Sequence, residues 1–304
     1  MKNPKVAIIT STFNQEENLR KCLKSLKDKT NYKNYKMYFI DDSGTGEIAK
    51  KIKKEFPWVD VSENKSNLGF SKSNNILIKK SLKEYSPNYI LLLNDDTEIV
   101  DKDWLGKMVE VGESDPKIGI LGCKIIYPDG NLQWFYKNGK MHFLKTKENI
   151  EETKETFGNY EVTNVIGACL FIRRKVIDEI GFLDDKFSPA YGEETDFCLR
   201  AGKKGYKLFY LGGTKIVHLG GSSTKHVKDW IWQIKKRNSI RLEWLNHSFP
   251  NIIKYTIIHF GSAVFSKKPL MKLKMLFKAY GENIKNLDEI KEKREERNSW
   301  KNQK

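Results

Sequence analysis

The amino-acid sequence predicts an α/β fold, a doubly wound sheet flanked by helices and followed by a helical C-terminal region. Three observations carry that reading. Apolar runs of strand length alternate with helically spaced apolar residues through the first hundred positions. Paired carboxylates stand where two of those runs stop, and the last quarter of the chain turns basic and amphipathic.

Taken in order, Lys5–Thr10 reads as a buried strand, and Ser11-Thr12-Phe13-Asn14 breaks it into a helix with Leu19, Cys22, Leu23 and Leu26 on one face. Tyr35–Ile40 is a second strand, ending in Asp41-Asp42-Ser43-Gly44. Helix over Glu47–Phe56, a short strand at Val59–Ser62, a turn at Asn67–Phe70 and a helix from Ser71 to Lys83 follow. Tyr89–Leu93 has no polar alternation, the pattern of a strand covered on both faces, and it stops at Asn94-Asp95-Asp96. Strands alternating with helices give right-handed crossovers and a sheet whose ligand site lies beyond the strands' carboxyl ends. A polar turn after a core strand would look the same as Asn94–Asp96 taken alone. As hard oxygen donors beside a phosphate, however, such carboxylates suit Mg²⁺ or Mn²⁺.

The second half changes character. Ile118–Cys123 is apolar, Pro128-Asp129-Gly130 is a turn, and 130 to 160 reads as an excursion containing a hairpin and a mobile loop over Lys145–Thr156. Order resumes with a strand at Val165–Ile172, a helix at Arg173–Ile180 and a helix from Glu193 to Ala201, where Asp196 and Arg200 stand at i and i+4. Glu193 and Glu194 fall in the first turn, where the helix dipole favours carboxylates for structural reasons alone. Short strands at Leu208–Leu211 and Ile216–His218 close this part.

Composition narrows the function. The 304 residues carry 55 Lys and Arg against 39 Asp and Glu, a formal charge of +16, with 39% hydrophobic content. From Ser222 onward there are 19 basic and 8 acidic residues, so +11 falls in the last quarter and marks a boundary between residues 1–222 and 223–304. Amphipathic helices there (Trp230 to Leu245, Ile252 to Phe265, Leu270 to Phe277) suit an anionic membrane surface, or else pack their apolar faces on the rest of the chain. Asp288–Arg297 reads as a charged, exposed or frayed helix. No run reaches the ~20 apolar residues of a membrane span, and the N-terminus lacks a signal-peptide profile, so the expected location is cytoplasmic, peripheral on the inner face of the membrane. Cys22, Cys123, Cys169 and Cys198 have no C-x-x-C spacing and are expected reduced and buried. The charge alone also fits a nucleic-acid binder, but no reading motif accompanies it and no nucleic acid is expected. Neither G-x-G-x-x-G nor a phosphate loop is present.

The set Thr10-Ser-Thr-Phe-Asn14, Asp41-Asp42, Asn67-x-Gly-Phe-x-x-x-x-Asn75, Leu93-Asn-Asp-Asp96, Gly167-Ala-Cys-x-x-x-Arg173, Gly181-Phe-Leu-Asp184, Glu193-Glu-x-Asp-x-x-x-Arg200, Gly205-Tyr206 and His218 resembles family 2 glycosyltransferases over residues 5 to 222. The likeness is to the rhamnosyltransferase-like, cell-surface-polysaccharide branch. It implies a GT-A fold, a Rossmann-like mixed sheet flanked by helices. The implied activity is inverting transfer of a sugar from a nucleotide-diphosphate sugar, dTDP-rhamnose or a UDP-sugar, to a hydroxyl of a glycan or lipid-linked acceptor.

By the same resemblance Thr10, Thr12, Asn14, Asp41 and Asp42 would receive the nucleotide, with Asn67, Gly69 and Asn75 covering it and Asn94 and Asp95 beside the donor. Asn94 stands where many members have Asp, which leaves Asp96 as the implied metal ligand, joined by His218. Glu194 matches the family's general base, with Glu for Asp reaching one methylene further, and Glu193 would contact the acceptor. A sugar-nucleotide pyrophosphorylase shares the α/β outline, but opens with a Gly-rich loop that Thr10–Asn14 lacks. The sugar and the oligomeric state are left open.

Overall fold

The computed structural model describes residues 3–137, 140–143, 158–220 and 228–300. Strands β1 (Val6–Thr12), β2 (Tyr35–Asp41), β3 (Val59–Glu63) and β4 (Tyr89–Leu93) pair in parallel in the order β3-β2-β1-β4, with Val6 opposite both Tyr35 and Tyr89. Helices α1 (Glu16–Asp28), α2 (Glu47–Glu55) and α3 (Phe70–Glu84) make the crossovers. α1 forms because Leu19, Cys22, Leu23 and Leu26 recur at helical spacing and are buried, with Glu16 and Glu17 at its positive end and Lys27 in its last turn. All strand ends of this half therefore open on one edge.

The second half turns the sheet from parallel to mixed. It comprises β5 (Thr97–Ile99), α4 (Trp104–Ser114), β6 (Ile118–Ile126), β7 (Trp134–Lys137), β8 (Lys140–Phe143), β9 (Asn159–Val162), β10 (Cys169–Arg173), α5 (Arg174–Ile180), α6 (Glu193–Lys203) and β11 (Lys207–His218). β10 inserts antiparallel between β4 and β6, and β11 runs parallel to β6 and antiparallel to β5 and β9. Three details differ from the expectations. α4 was not anticipated, although Trp104, Leu105, Met108 and Val109 bury one helical face. The strand expected from Val165 begins at Cys169. The two short strands expected near 208 and 216 are one strand, with an irregularity between Leu211 and Lys215 that absorbs Gly212 and Gly213. The hairpin expected after Gly130 is β7 paired with β8, whereas the stretch 145–156 lies outside the described residues.

Because the sheet is covered on both faces, two apolar layers form, one around Ile8, Leu91 and Trp104, the other around Ile9, Leu92 and Phe197. The four cysteines are free and buried.

Among the described residues the C-terminal region is four helices: α7 (Lys228–Asn246), α8 (Phe249–Val264), α9 (Pro269–Ile284) and α10 (Leu287–Ser299). Residues 221–227, where the composition shift begins, lie outside the described residues. α10 is not the exposed or frayed helix its charge suggested. Arg297 is buried and its guanidinium reaches both oxygens of Asp196 on α6, at 2.7 and 3.2 Å, while Trp300 packs into the second apolar layer. Burial alone would raise the Asp196 carboxyl, but Arg200 and Arg297 outweigh it and hold it below the usual carboxylate range. The expected Asp196–Arg200 pair is present at 2.8 Å. Among the described residues no helix is long and apolar enough to cross a membrane.

Candidate active site

Sheet register brings the acidic turn and His218 together. His218, at the end of β11, lies opposite Thr97 at the start of β5, and Thr97 directly follows Asp96. His218 Nε2 is 3.2 Å from Asp96 Oδ1 and 3.4 Å from Asn94 Nδ2. On the other side of the ring Nδ1 is 2.7 Å from Gln133 Oε1. The Gln133 amide is oriented by its own nitrogen, which donates to the His218 carbonyl at 2.8 Å. Oε1 therefore faces the ring as an acceptor for Nδ1–H, which leaves Nε2 as the ring nitrogen turned toward Asp96. Two electron-pair donors this close need a cation or a proton between them. A divalent ion suits that donor set, with His held as metal-bound imidazoles usually are. Among the described residues no third His, Cys, Asp or Glu joins them.

The neighbouring residues shape this edge. Thr10 Oγ1 donates to Leu93 O at 2.8 Å, and the Thr12 hydroxyl donates to Asp95 Oδ2. Burial, with Asp96 adding to it, pushes the Asp95 carboxyl up to about 7. Asn14 takes a positive φ of 57° as the chain leaves β1. Asp41 is fully buried and accepts from the backbone N–H of Ser43 and of Ala49, both at 3.0 Å, so it ties β2 to the first turn of α2. Asp42 accepts from Asn64 Nδ2 and from the N–H of Leu68 and Gly69, folding the loop that Asn67 also closes through Gly69 N. Asn75 exchanges both of its amide atoms with the backbone of Leu183 and donates to Asp185. Asp41, Asp42 and Asn75 thus hold loops in place with their side chains.

Gly69 is where the two halves of the edge touch. Its φ is +80°, and a Cβ there would stand 2.6 Å from Pro189 Cα and 2.8 Å from Pro189 O. Phe70 N donates to that same carbonyl at 2.7 Å. Only glycine permits both the conformation and the approach.

Past Pro189 the chain enters α6 through two left-handed residues, Tyr191 (φ 79°) and Gly192 (φ 97°). A tyrosine in that region stores strain that the surroundings must hold. Asn238 on α7 holds it: its buried Nδ2 lies 2.8, 2.9 and 2.7 Å from the carbonyls of Phe187, Ala190 and Tyr191, and Arg237 Nε fixes the amide by donating to Oδ1 at 2.8 Å. Arg237 also donates to Ser188 O. One helical turn after Asn238, Arg241 makes two bonds to Asp184 and two to Glu289. Burial pulls the Asp184 carboxyl upward, but Arg241 and Lys293 win and hold it at about 2. Asn238, Arg241 and Gln133 were not anticipated from the sequence. Arg237, Asn238 and Arg241 do share a helical face, the one signal available.

This loop delivers the paired glutamates. Glu193 is buried, and its Oε2 has no hydrogen-bond partner among the described residues. Burial first, and then the Glu194 carboxylate, push its pKa upward; burial also raises Glu194. Two adjacent carboxyls in such a site ionise one at a time. Glu194 packs over Gly167, where an added Cβ would meet its Cβ and Cγ at 3.4 and 3.5 Å. The next residue, Ala168, accepts from Asn94 N at 3.1 Å. Glu194 and the acidic turn therefore border the same end of β4 and β10.

The mixed sheet, nine-stranded among the described residues and flanked by helices, has the GT-A fold. The profile of the family described as Glycosyl transferase family 2 matches residues 7–181, more than half of the sequence, and the chain belongs to that family. It is 26% identical over 232 residues to the O-antigen biosynthesis protein RfbC of Myxococcus xanthus, covering 73% of this chain and 18% of that protein. The chain spans 18 to 64% of the lengths of the curated relatives it matches. Among solved structures it is similar to GalNAc-T7 with UDP, GalNAc and Mn²⁺, with a TM-score of 0.64 and 15% identity over 91% of this chain and 55% of that one. It is also similar to the mannosyltransferase PcManGT from Pyrobaculum calidifontis in complex with GDP-Man and Mn²⁺, with a TM-score of 0.56 and 12% identity over 95% of this chain and 76% of that one.

Proposed function

We propose that the chain is an inverting glycosyltransferase that moves a sugar from a nucleotide-diphosphate sugar, dTDP-rhamnose or a UDP-sugar, to a hydroxyl of a glycan or lipid-linked acceptor. The observation that carries this reading is the convergence on one sheet edge of an Asp96–His218 pair and a Glu193–Glu194 pair. The family membership and the UDP and GDP-Man of the two similar structures support a nucleoside diphosphate leaving group.

Asp96 and His218 would hold Mg²⁺ or Mn²⁺, with Gln133 keeping the imidazole lone pair on it. When bound, the ion supplies Lewis-acid stabilisation of charge on the departing diphosphate. The protein's own residues do the rest. Thr10, Thr12 and Asn14 line the β1 end, and the loop folded by Asp42 and Asn67 closes against Pro189 through Gly69, over the expected nucleotide seat. Glu194 takes the acceptor hydroxyl's proton as that oxygen attacks the anomeric carbon from the face opposite the leaving group. Glu193, whose burial and neighbour favour its neutral form, keeps the pair's single negative charge on Glu194 and offers its unpartnered oxygen to the acceptor.

The test is melting of the purified chain with UDP-, dTDP- and GDP-sugars, with and without Mn²⁺. One donor at about 100 times its Kd should add about 2.7 kcal/mol of stability, and only with the ion present. NMR of the transferred sugar should then show inverted anomeric configuration. Retention, or no donor that stabilises the chain, contradicts the proposal.

A further inference from the structure

The outer faces of α8 and α9 are apolar, adjacent and uncovered by the described residues. On α8, Phe249, Ile253, Ile257 and Val264 are exposed, and their spacing places them within one quadrant of the helix. On α9, Leu270, Phe277 and Ile284 are exposed at a spacing of seven. The inner faces are different: His259 and Ala263 of α8 and Leu276, Ala279 and Asn283 of α9 are buried. Phe260 and Phe277 meet edge-on at 5.6 Å, which joins the two stripes into one surface. Phe265 and Leu270, at the turn between the helices, are 91% and 84% exposed. Bulky apolar side chains clustered this way mark an interaction site.

The charge of the same hairpin says what covers it. Between Phe249 and Lys285 there are seven lysines and one acid, Glu282. Glu282 faces α7, where it pairs with Arg237 at 3.7 Å. Lys254, Lys267, Lys274 and Lys278 are exposed and have no carboxylate partner among the described residues. A second copy of the chain would bring these lysines against their own kind. Nucleic acid would satisfy the lysines and leave the apolar stripes wet. An anionic bilayer satisfies both, since its headgroups take the ammonium groups while the interfacial layer takes the stripes.

We propose that the outer face of the α8–α9 hairpin lies in the interface of an anionic lipid bilayer and holds the enzyme on a membrane. The helices run in the plane of the surface, since none of those described can cross it. This docking does not depend on the transfer reaction proposed above.

The experiment is co-sedimentation of the full chain with phosphatidylcholine vesicles, with and without phosphatidylglycerol, across a salt series. Binding is expected only to the vesicles containing phosphatidylglycerol, and it should weaken with salt. Phe265→Ser and Leu270→Ser should each reduce partitioning about tenfold, and Lys267→Glu with Lys274→Glu should abolish it. Each variant should keep the parent's melting temperature and its stabilisation by nucleotide sugar. Equal recovery in the supernatant with both vesicle types overturns the proposal. So does parent-like binding of the Phe265→Ser, Leu270→Ser double variant, which would make the attraction purely electrostatic. A concentration-dependent doubling of mass that the same double variant removes assigns the face to a second copy, and overturns it too. Loss of donor stabilisation in the parent would count against the proposed function alone.

Discussion

Asn238 lies outside the sheet edge, yet its bonds to the loop before Glu193 make it a positioning residue for the glutamate pair. Its amide has two protons and three carbonyls within 2.9 Å, those of Phe187, Ala190 and Tyr191. At about 0.5–1.5 kcal/mol net for each bond, and about 1–3 kcal/mol for a buried carbonyl left dry, Asn238→Ala should cost about 2–4 kcal/mol. Part of that cost is released as relaxation of the left-handed Tyr191, immediately before Gly192 and Glu193. Turnover should therefore fall by about tenfold or more, each 1.4 kcal/mol of lost positioning being a factor of ten, with donor KM nearly unchanged. Asn238→Asp isolates the donor function: it keeps the size and the Arg237 contact and removes both protons. Urea denaturation and steady-state kinetics on parent, Ala and Asp variants read both effects. If Asn238→Asp is as stable as the parent and turns over normally, the loop does not need the clamp and the reasoning fails.

Other outcomes follow from the same geometry. Asp96→Ala, or the parent in excess EDTA, should lose transfer by about 10²–10³-fold or more, and normal turnover in either case would remove the metal assignment. Gln133→Leu should leave His218 free to change tautomer and weaken Mn²⁺ affinity by about 10–100-fold, measured by titration of the ion into the protein. Glu193→Gln should stabilise the chain at higher pH. The folded state keeps the Glu193 proton above its ordinary carboxyl pKa, so parent stability falls as pH rises from about 4.3 through the raised value; the variant's advantage should vanish near pH 4, as melting curves across pH will show. Arg297→Met should cost about 3 kcal/mol, the lower end for a broken buried pair, because Arg200 still holds Asp196.

Much of this was legible in the sequence because it is local. The four parallel strands follow from apolar runs such as Tyr89–Leu93, and α1 from four residues on one helical face. The direction of β10 was not, since an uninterrupted apolar run reads the same parallel or antiparallel. α4 had its signal in Trp104, Leu105, Met108 and Val109, and β11 was divided by glycines that an irregular strand absorbs. In the site, Asp96 and the glutamate pair stand out as carboxylates at element ends. Gln133 contacts a residue 85 positions away, and Asn238 reaches across about 50. Such pairings are set by the packed fold and leave no periodic trace. The basic C-terminal region was read correctly as amphipathic helices, but Arg241 and Arg297 are bound to buried carboxylates, so part of its charge serves to dock it.

The proposed role of Glu194 as general base is tested most directly by one paired measurement: donor affinity and turnover of Glu194→Gln and Glu193→Gln, each on a single preparation. Glu194→Gln keeps the shape over Gly167 and removes the basicity. It should bind donor as the parent does while turnover falls by about 10²–10⁴-fold, and Glu193→Gln should retain more activity than Glu194→Gln. An active Glu194→Gln beside an inactive Glu193→Gln would move the base by one residue, and full activity in both would contradict the account.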